Sequence, residues 1–458
     1  MNVCPYANER AACDLPATEI DQGGKIAYCK QCSEIAFRCA SGHWNRAFAS
    51  FCTQCSQELE KPVQWCMASA NPQRTATLSH TPSVDSLNQD YGFGTWVVNT
   101  PEIKTYENLP GILTIDGLIV VPNPAEKRFD AYTIANPPDQ RSPSLKWSIA
   151  FNKELTYGST PIYHGLHLYY VASDGIQRKP VLGGDAEPVE IKGVDTTQIE
   201  PVSDCAPLKC DIGGKPTMVV GLKQGVLLVD LTNNNANYIT HKFFEGSSEP
   251  MSPTLCGTHV VFTSKQGSIF SLNTRPYKIR YIPPKDRSFS APVSLNGLVY
   301  FEALSNSGKR SLERFDPSSG QLSKAADLDS EPTSNLNIRQ SLFTYPPLTD
   351  EKRFFLCDRS GQTIYTYDSV SGFLSERSLQ TANSQNRFVP HQSIIVDNRI
   401  YSAHSSGLTI LEPARNYNMQ SKFLAMGAVD NPIPVARPIR YGDKLFILCK
   451  DRLICLDY

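Results

Sequence analysis

No apolar run in this 458-residue chain approaches the roughly 18 residues that a membrane helix needs. Its mean hydropathy of -0.30 is ordinary for a water-facing protein. No membrane insertion is expected. Residues Met1 to Asp14 lack a basic stretch followed by an apolar one, so the expected location is cytoplasmic rather than exported. Excess charge of either sign is absent: 44 Lys and Arg stand against 45 Asp and Glu. A net charge of -1 gives no general attraction for phosphate backbones or anionic lipid, so a nucleic-acid partner is not expected. No glycine-rich loop leads from a strand into a helix, and Gly183-Gly184 and Gly213-Gly214 read as turns. No local motif combines Ser, His and Asp or Cys and His for nucleophilic catalysis. His164 and His167 form H-x-x-H without an acid or thiol beside them, and read as hairpin positions. The sequence therefore names no catalytic residue, and a non-enzymatic protein is expected.

What the chain does have is cysteine in one place. Of its 14 cysteines, eight precede residue 67 and the others are scattered. Without an export signal, clustering favours metal ligation over disulfides. Cys29-Lys30-Gln31-Cys32 and Cys52-Thr53-Gln54-Cys55 are CxxC knuckles, whose tight turns aim two thiolates at one cation. Eight candidate ligands make two tetrahedral Zn²⁺ sites. One assignment is sequential, with Cys4, Cys13, Cys29 and Cys32 in the first and Cys39, His43, Cys52 and Cys55 in the second. The rival joins the two knuckles in one site and leaves Cys4, Cys13, Cys39 and His43 for the other. Both would be closed shells, hence structural. A module this small, with few large apolar residues, needs such a staple to fold. Cys66 is surplus. The acids of the module slightly outnumber its bases, which disfavours nucleic acid. The string RCASGHWNRAFASFCTQCSQEL, Arg38 to Leu59, resembles the bacterial zinc-ribbon pattern C-x3-H-x-N…FCxxC. That resemblance implies His43 as the second ligand of its site.

Beyond a linker rich in Ser, Thr, Asn and Pro, one unit recurs: Pro, a short strand, a Gly or Asn turn, then apolar strands. Its clearest copy is Ser290 to Lys324, with the Asn296-Gly297 turn before Leu298-Val299-Tyr300-Phe301. Eight copies start near Pro110, Pro161, Pro207, Pro253, Pro292, Pro346, Pro390 and Pro438. Spacings of about 40 to 54 residues suit four-stranded propeller blades, whose two apolar faces are covered by radial stacking. The last copy has room for three strands, and Trp96-Val97-Val98 is the expected fourth, closing the ring. A seven-bladed ring is the alternative. Within the copies, Arg314-Phe315-Asp316-Pro317-Ser318-Ser319-Gly320 and Tyr367-Asp368-Ser369-Val370-Ser371-Gly372 resemble the quinoprotein-type repeat with its D-x-x-x-G ending. The resemblance implies a fold, and its members include both dehydrogenases and protein-binding chains.

The reading is all-β: a double zinc ribbon over 1–65, a linker over 66–92 and a propeller over 93–458. The expected function is a scaffold that docks protein partners, with two structural Zn²⁺. The alternatives are an enzyme with a small-molecule site in the propeller channel and a nucleic-acid-associated factor using the ribbons.

Overall fold

The computed structural model describes residues 18–19, 26–28, 35–46, 49, 51–59, 77–78 and 97–457. From the last stretch, 101, 104–108, 135–142, 152–153, 173–174, 182–183, 190–201, 242–248, 285, 329–345, 351, 359–360, 380–386, 397–398, 414–418, 425–432 and 442–443 are excluded. Among the described residues every regular element is a strand, apart from 3-10 turns at Tyr157–Ser159 and Pro390–Gln392.

Eight antiparallel blades follow one another along the chain. Blade one runs from Leu113–Ile115 out to Leu145–Ala150, and blade two from Ile162–His164 to Glu187–Pro188. Blade three runs from Leu208–Ile212 to Ala236–Thr240, and blade four from Thr254–Cys256 to Tyr277–Ile282. Blade five starts at Val293–Leu295 and ends at Leu322–Asp327. Blade six spans Leu348–Thr349 to Leu374–Ser378, and blade seven Ser393–Val396 to Met419–Leu424. Blade eight contributes Ile439–Tyr441, Lys444–Leu448 and Arg452–Asp457. Its fourth strand is Val97–Asn99, which pairs antiparallel with Arg452–Asp457 through Leu453↔Val98. The count is eight, not seven, and the two ends of the repeat region share one sheet as the sequence predicts. First strands of neighbouring blades approach one another between blades four and five, six and seven, and eight and one. The first strand of each blade therefore faces the ring axis.

Local chemistry sets these hairpins. Asn296 and Gly297 have φ of 52° and 76°, the left-handed pair that a two-residue turn requires. The D-x-x-x-G ending is a second device. Asp316 accepts the Ser318 N–H at 2.8 Å on its side chain, and its carbonyl accepts the Gly320 N–H at 2.7 Å. Asp368 repeats this with the N–H groups of Val370 and Gly372, both at 2.9 Å.

The apolar clusters lie in the seams between blades, where two sheet faces meet. Val293, Tyr300 and Leu312 of blade five pack with Phe354, Leu356 and Tyr367 of blade six. Hydrogen bonds cross the same seams: Trp147 Nε1 to the Val181 carbonyl at 2.8 Å, Lys209 Nζ to the Tyr163 carbonyl at 2.9 Å, and Arg310 Nη1 to the Cys357 carbonyl at 2.8 Å. Arg310 also pairs with Glu302 at 2.6 Å, both side chains being at least nine-tenths buried. Of three aromatic residues that the sequence places near loop ends, where they could line a binding face, Phe388 is fully buried and Tyr345 and Tyr417 lie outside the described residues.

Two features were not anticipated. Arg287–Phe289 forms an extra strand against the far half of Leu298–Ser305 in blade five. Thr77–Leu78, from the 66–92 segment, forms a strand parallel to Ser393–Val396 of blade seven. In front of the ring, Thr18–Glu19, Ile26–Tyr28, Ile35–Arg38 and Trp44–Arg46 make a small antiparallel sheet. Its Phe37 is fully buried and belongs to the apolar cluster built by blades six, seven, eight and one.

Candidate metal centre

The small sheet determines where the cysteines stand. The pair Arg38↔Trp44 closes one end of the hairpin, and the loop beyond it carries Cys39 and His43. Two backbone bonds tighten this loop, Cys39 N–H to the His43 carbonyl at 3.0 Å and Gly42 N–H to the Cys39 carbonyl at 2.9 Å. The second knuckle closes similarly, with the Cys52 N–H on the Gln57 carbonyl at 2.7 Å and the Ser56 N–H on the Cys52 carbonyl at 2.9 Å.

The two loops bring Cys39, His43, Cys52 and Cys55 together, their ligand atoms all within 4.8 Å of one another. Cys39 Sγ lies 3.6 Å from His43 Nδ1 and 3.6 Å from Cys55 Sγ, and Cys52 Sγ lies 3.7 Å from His43 Nδ1. With Zn–S near 2.3 Å and Zn–N near 2.0–2.1 Å, tetrahedral edges are about 3.8 Å for S–S and about 3.6 Å for S–N. The donor set and its spacing fit zinc. Cys39 and His43 stand with Cys52 and Cys55, which is how the sequential assignment groups these four residues. Cys4, Cys13, Cys29 and Cys32 lie outside the described residues.

Asn45 joins the two loops, a role that its place in the H-x-N string did not disclose. It is 2% exposed. Its Nδ2 donates to the His43 carbonyl at 2.9 Å, and its Oδ1 accepts the Thr53 N–H at 3.0 Å. Trp44 is buried rather than displayed, with the Arg38 guanidinium 5.6 Å from its ring centroid. The sulfurs are tuned unequally. Burial pushes the Cys52 thiol up, but the N–H groups of Gln54 and Cys55 and the side chains of Cys55 and Asn45 outweigh it and bring the thiol to about 6. The Cys55 thiol is raised; the Gln57 N–H opposes this, but desolvation and the neighbouring sulfurs of Cys52 and Cys39 prevail.

The remaining candidates are structural. His164 and His167 face each other across a tight hairpin, and burial followed by the Lys209 charge lowers the His164 pKa. Cys205, Cys210, Cys449 and Cys455 are each buried in the apolar seams.

Comparison with known proteins adds the fold's relatives. No family model and no curated protein matches the sequence. Among solved structures, a europium-containing methanol dehydrogenase has a TM-score of 0.52 at 12% identity, over 85% of this chain and 89% of its own. Sqt1 of Saccharomyces cerevisiae has a TM-score of 0.50 at 12% identity, over 79% of this chain and 99% of its own. BamB of Moraxella catarrhalis has 0.48 at 11%, over 79% and 98%. At such identity the first two speak for the fold alone. The class is defined by the structure: an eight-bladed β-propeller carrying a small cysteine-rich front module.

Proposed function

We propose that the chain is a scaffold that docks protein partners, with the propeller as a rigid disc and the front module as a second contact. One observation carries this reading: Cys39, His43, Cys52 and Cys55 supply four ligand atoms, a full tetrahedral shell. A metal held there has no open position for substrate or water, so it supplies rigidity rather than chemistry. We further propose a second structural zinc held by Cys4, Cys13, Cys29 and Cys32. The ribbons and ring would span 1–65 and 93–458, and the setting would be cytoplasmic. Among the described residues no helix is long and apolar enough to cross a membrane.

The test is quantitative affinity capture from the native cell with wild-type chain and with Cys52→Ser. The scaffold reading expects defined protein partners at fixed stoichiometry, a subset of them lost with Cys52→Ser. Recovery of nucleic acid at fixed stoichiometry instead of protein would reject it.

The channel-enzyme reading has one observation in its favour. The Tyr163 hydroxyl donates to Asp116, and Tyr441 is buried beside the same carboxylate; burial and that charge push its pKa far up. These three residues join blades two, one and eight at the axial hairpins. A Tyr441→Phe change that leaves stability intact but abolishes binding of a small molecule would support that reading.

A further inference from the structure

The strand Thr77–Leu78 occupies an unusual place. Its partner Ser393–Val396 is the first strand of blade seven and already pairs on its other side with Arg399–His404. The added strand therefore lies on the axial edge of the blade. Among the described residues no other blade has a strand added to the axial edge of its first strand; the extra strand of blade five pairs with Leu298–Ser305 instead. The register is parallel, Ile395↔Thr77 and Val396↔Leu78. Thr77 to Leu78 thus runs in the same direction as Ile395 to Val396, away from the Pro390–Gln392 turn. All four side chains of Ser393–Val396 are buried, at 0%, 0%, 2% and 1% exposure. Recognition of the added strand falls to the backbone, as in strand addition to a sheet edge, where main-chain hydrogen bonds give affinity with little demand on sequence. An edge of this kind left open would invite pairing with another chain.

We infer that the axial edge of blade seven is a strand-accepting site whose resident occupant is this chain's own Thr77–Leu78, so that an extended peptide partner binds there only by displacing that strand. The inference does not rest on the scaffold reading, because the occupant is intramolecular and its presence is measurable without any partner. It places the front module on a short leash, held to the ring by this strand and by Phe37. It also narrows the axial space that a channel ligand would need.

The test uses full-length protein. Oxidation of Thr77→Cys/Ile395→Cys, followed by peptide mass mapping, should give a disulfide between these two positions within one chain. In a second variant, Thr77→Pro/Leu78→Pro, both N–H donors are gone. At least one amide within Ser393–Val396 should then exchange about tenfold faster, while Val293–Leu295 of blade five keeps its rate. An excess of a synthetic peptide spanning residues 73–81 should restore the slow rate in the proline variant and leave wild type unchanged. Absence of the disulfide overturns the inference, as does unchanged exchange in a proline variant. If that variant loosens both blades alike, the disulfide result decides.

Discussion

Replacing Arg310 with Met should be among the most damaging single changes to the ring. Arg310 and Glu302 are paired at 2.6 Å with side-chain exposures of 4% and 9%, and Arg310 also reaches blade six through the Cys357 carbonyl. Removing the guanidinium leaves a carboxylate buried without its counter-charge, which costs about 3–5 kcal/mol. An unfolding entropy of about 2.1 cal/mol/K per residue over roughly 360 residues is about 0.8 kcal/mol/K, so Tm should fall by about 5 °C if the ring melts as one unit. The double change Arg310→Met/Glu302→Leu removes the stranded charge as well. It keeps only the loss of the inter-blade hydrogen bond, about 1 kcal/mol, and should melt within about 2 °C of wild type. Calorimetry of the three proteins gives the comparison. A single variant that melts within 1 °C of wild type, or a double variant no better than the single, would refute the reasoning.

Asn45→Ala should weaken zinc binding by about 10- to 100-fold in a chelator competition, because both loops lose their tie while all four ligands remain. Cys52→Ser should abolish that site and also lower the ring's transition, since Phe37 of the same sheet belongs to the ring's core; an unchanged ring transition would show that the contact contributes nothing. His404 should make the ring acid-sensitive. Its Nδ1 accepts the Ser406 N–H at 3.3 Å and its Nε2 lies 2.8 Å from the Thr409 hydroxyl. Burial, then the Arg387 charge, lowers its pKa from 6.5 to about 4. The unfolded chain takes up this proton first as pH falls, so the contribution is intact above pH 6.5 and is lost between 6.5 and about 4, at most about 3 kcal/mol. His404→Gln should flatten the stability profile in that window, and an equally steep profile would assign the acid loss to other groups.

The ring was legible because the blades reuse the same physical instructions: a proline before the axial strand, left-handed turns such as Asn296-Gly297, and, in blades three, five and six, an Asp that caps the next turn. Closure was legible too, because three strands in the last repeat left one place for Val97–Asn99. The added strands Thr77–Leu78 and Arg287–Phe289 were not. Two or three residues carry no periodicity, and what holds them is a free sheet edge that exists only once the blade has formed. In the front module the sequence singled out Cys39, His43, Cys52 and Cys55 as candidate ligands but left their pairing open, and the fold brings their ligand atoms within 4.8 Å of one another. The bridge made by Asn45 depends on two loops meeting in space, and a polar residue between Trp44 and Arg46 gives no sign of that. The same holds for Arg310 and Glu302, which read as surface charges on alternating strands until a neighbouring blade covers them.

The most direct measurement is a covalent staple across the seam that closes the ring. Asn99 and Arg452 are backbone partners at the surface of blade eight, so Asn99→Cys/Arg452→Cys should form a disulfide within one chain. It would close a loop of roughly 350 residues, worth up to about 6 kcal/mol by loop entropy. The account predicts that the oxidised form melts about 5–8 °C above the same protein reduced. Thiols at 99 and 452 that stay free in the folded protein, or that link only different molecules, would contradict it.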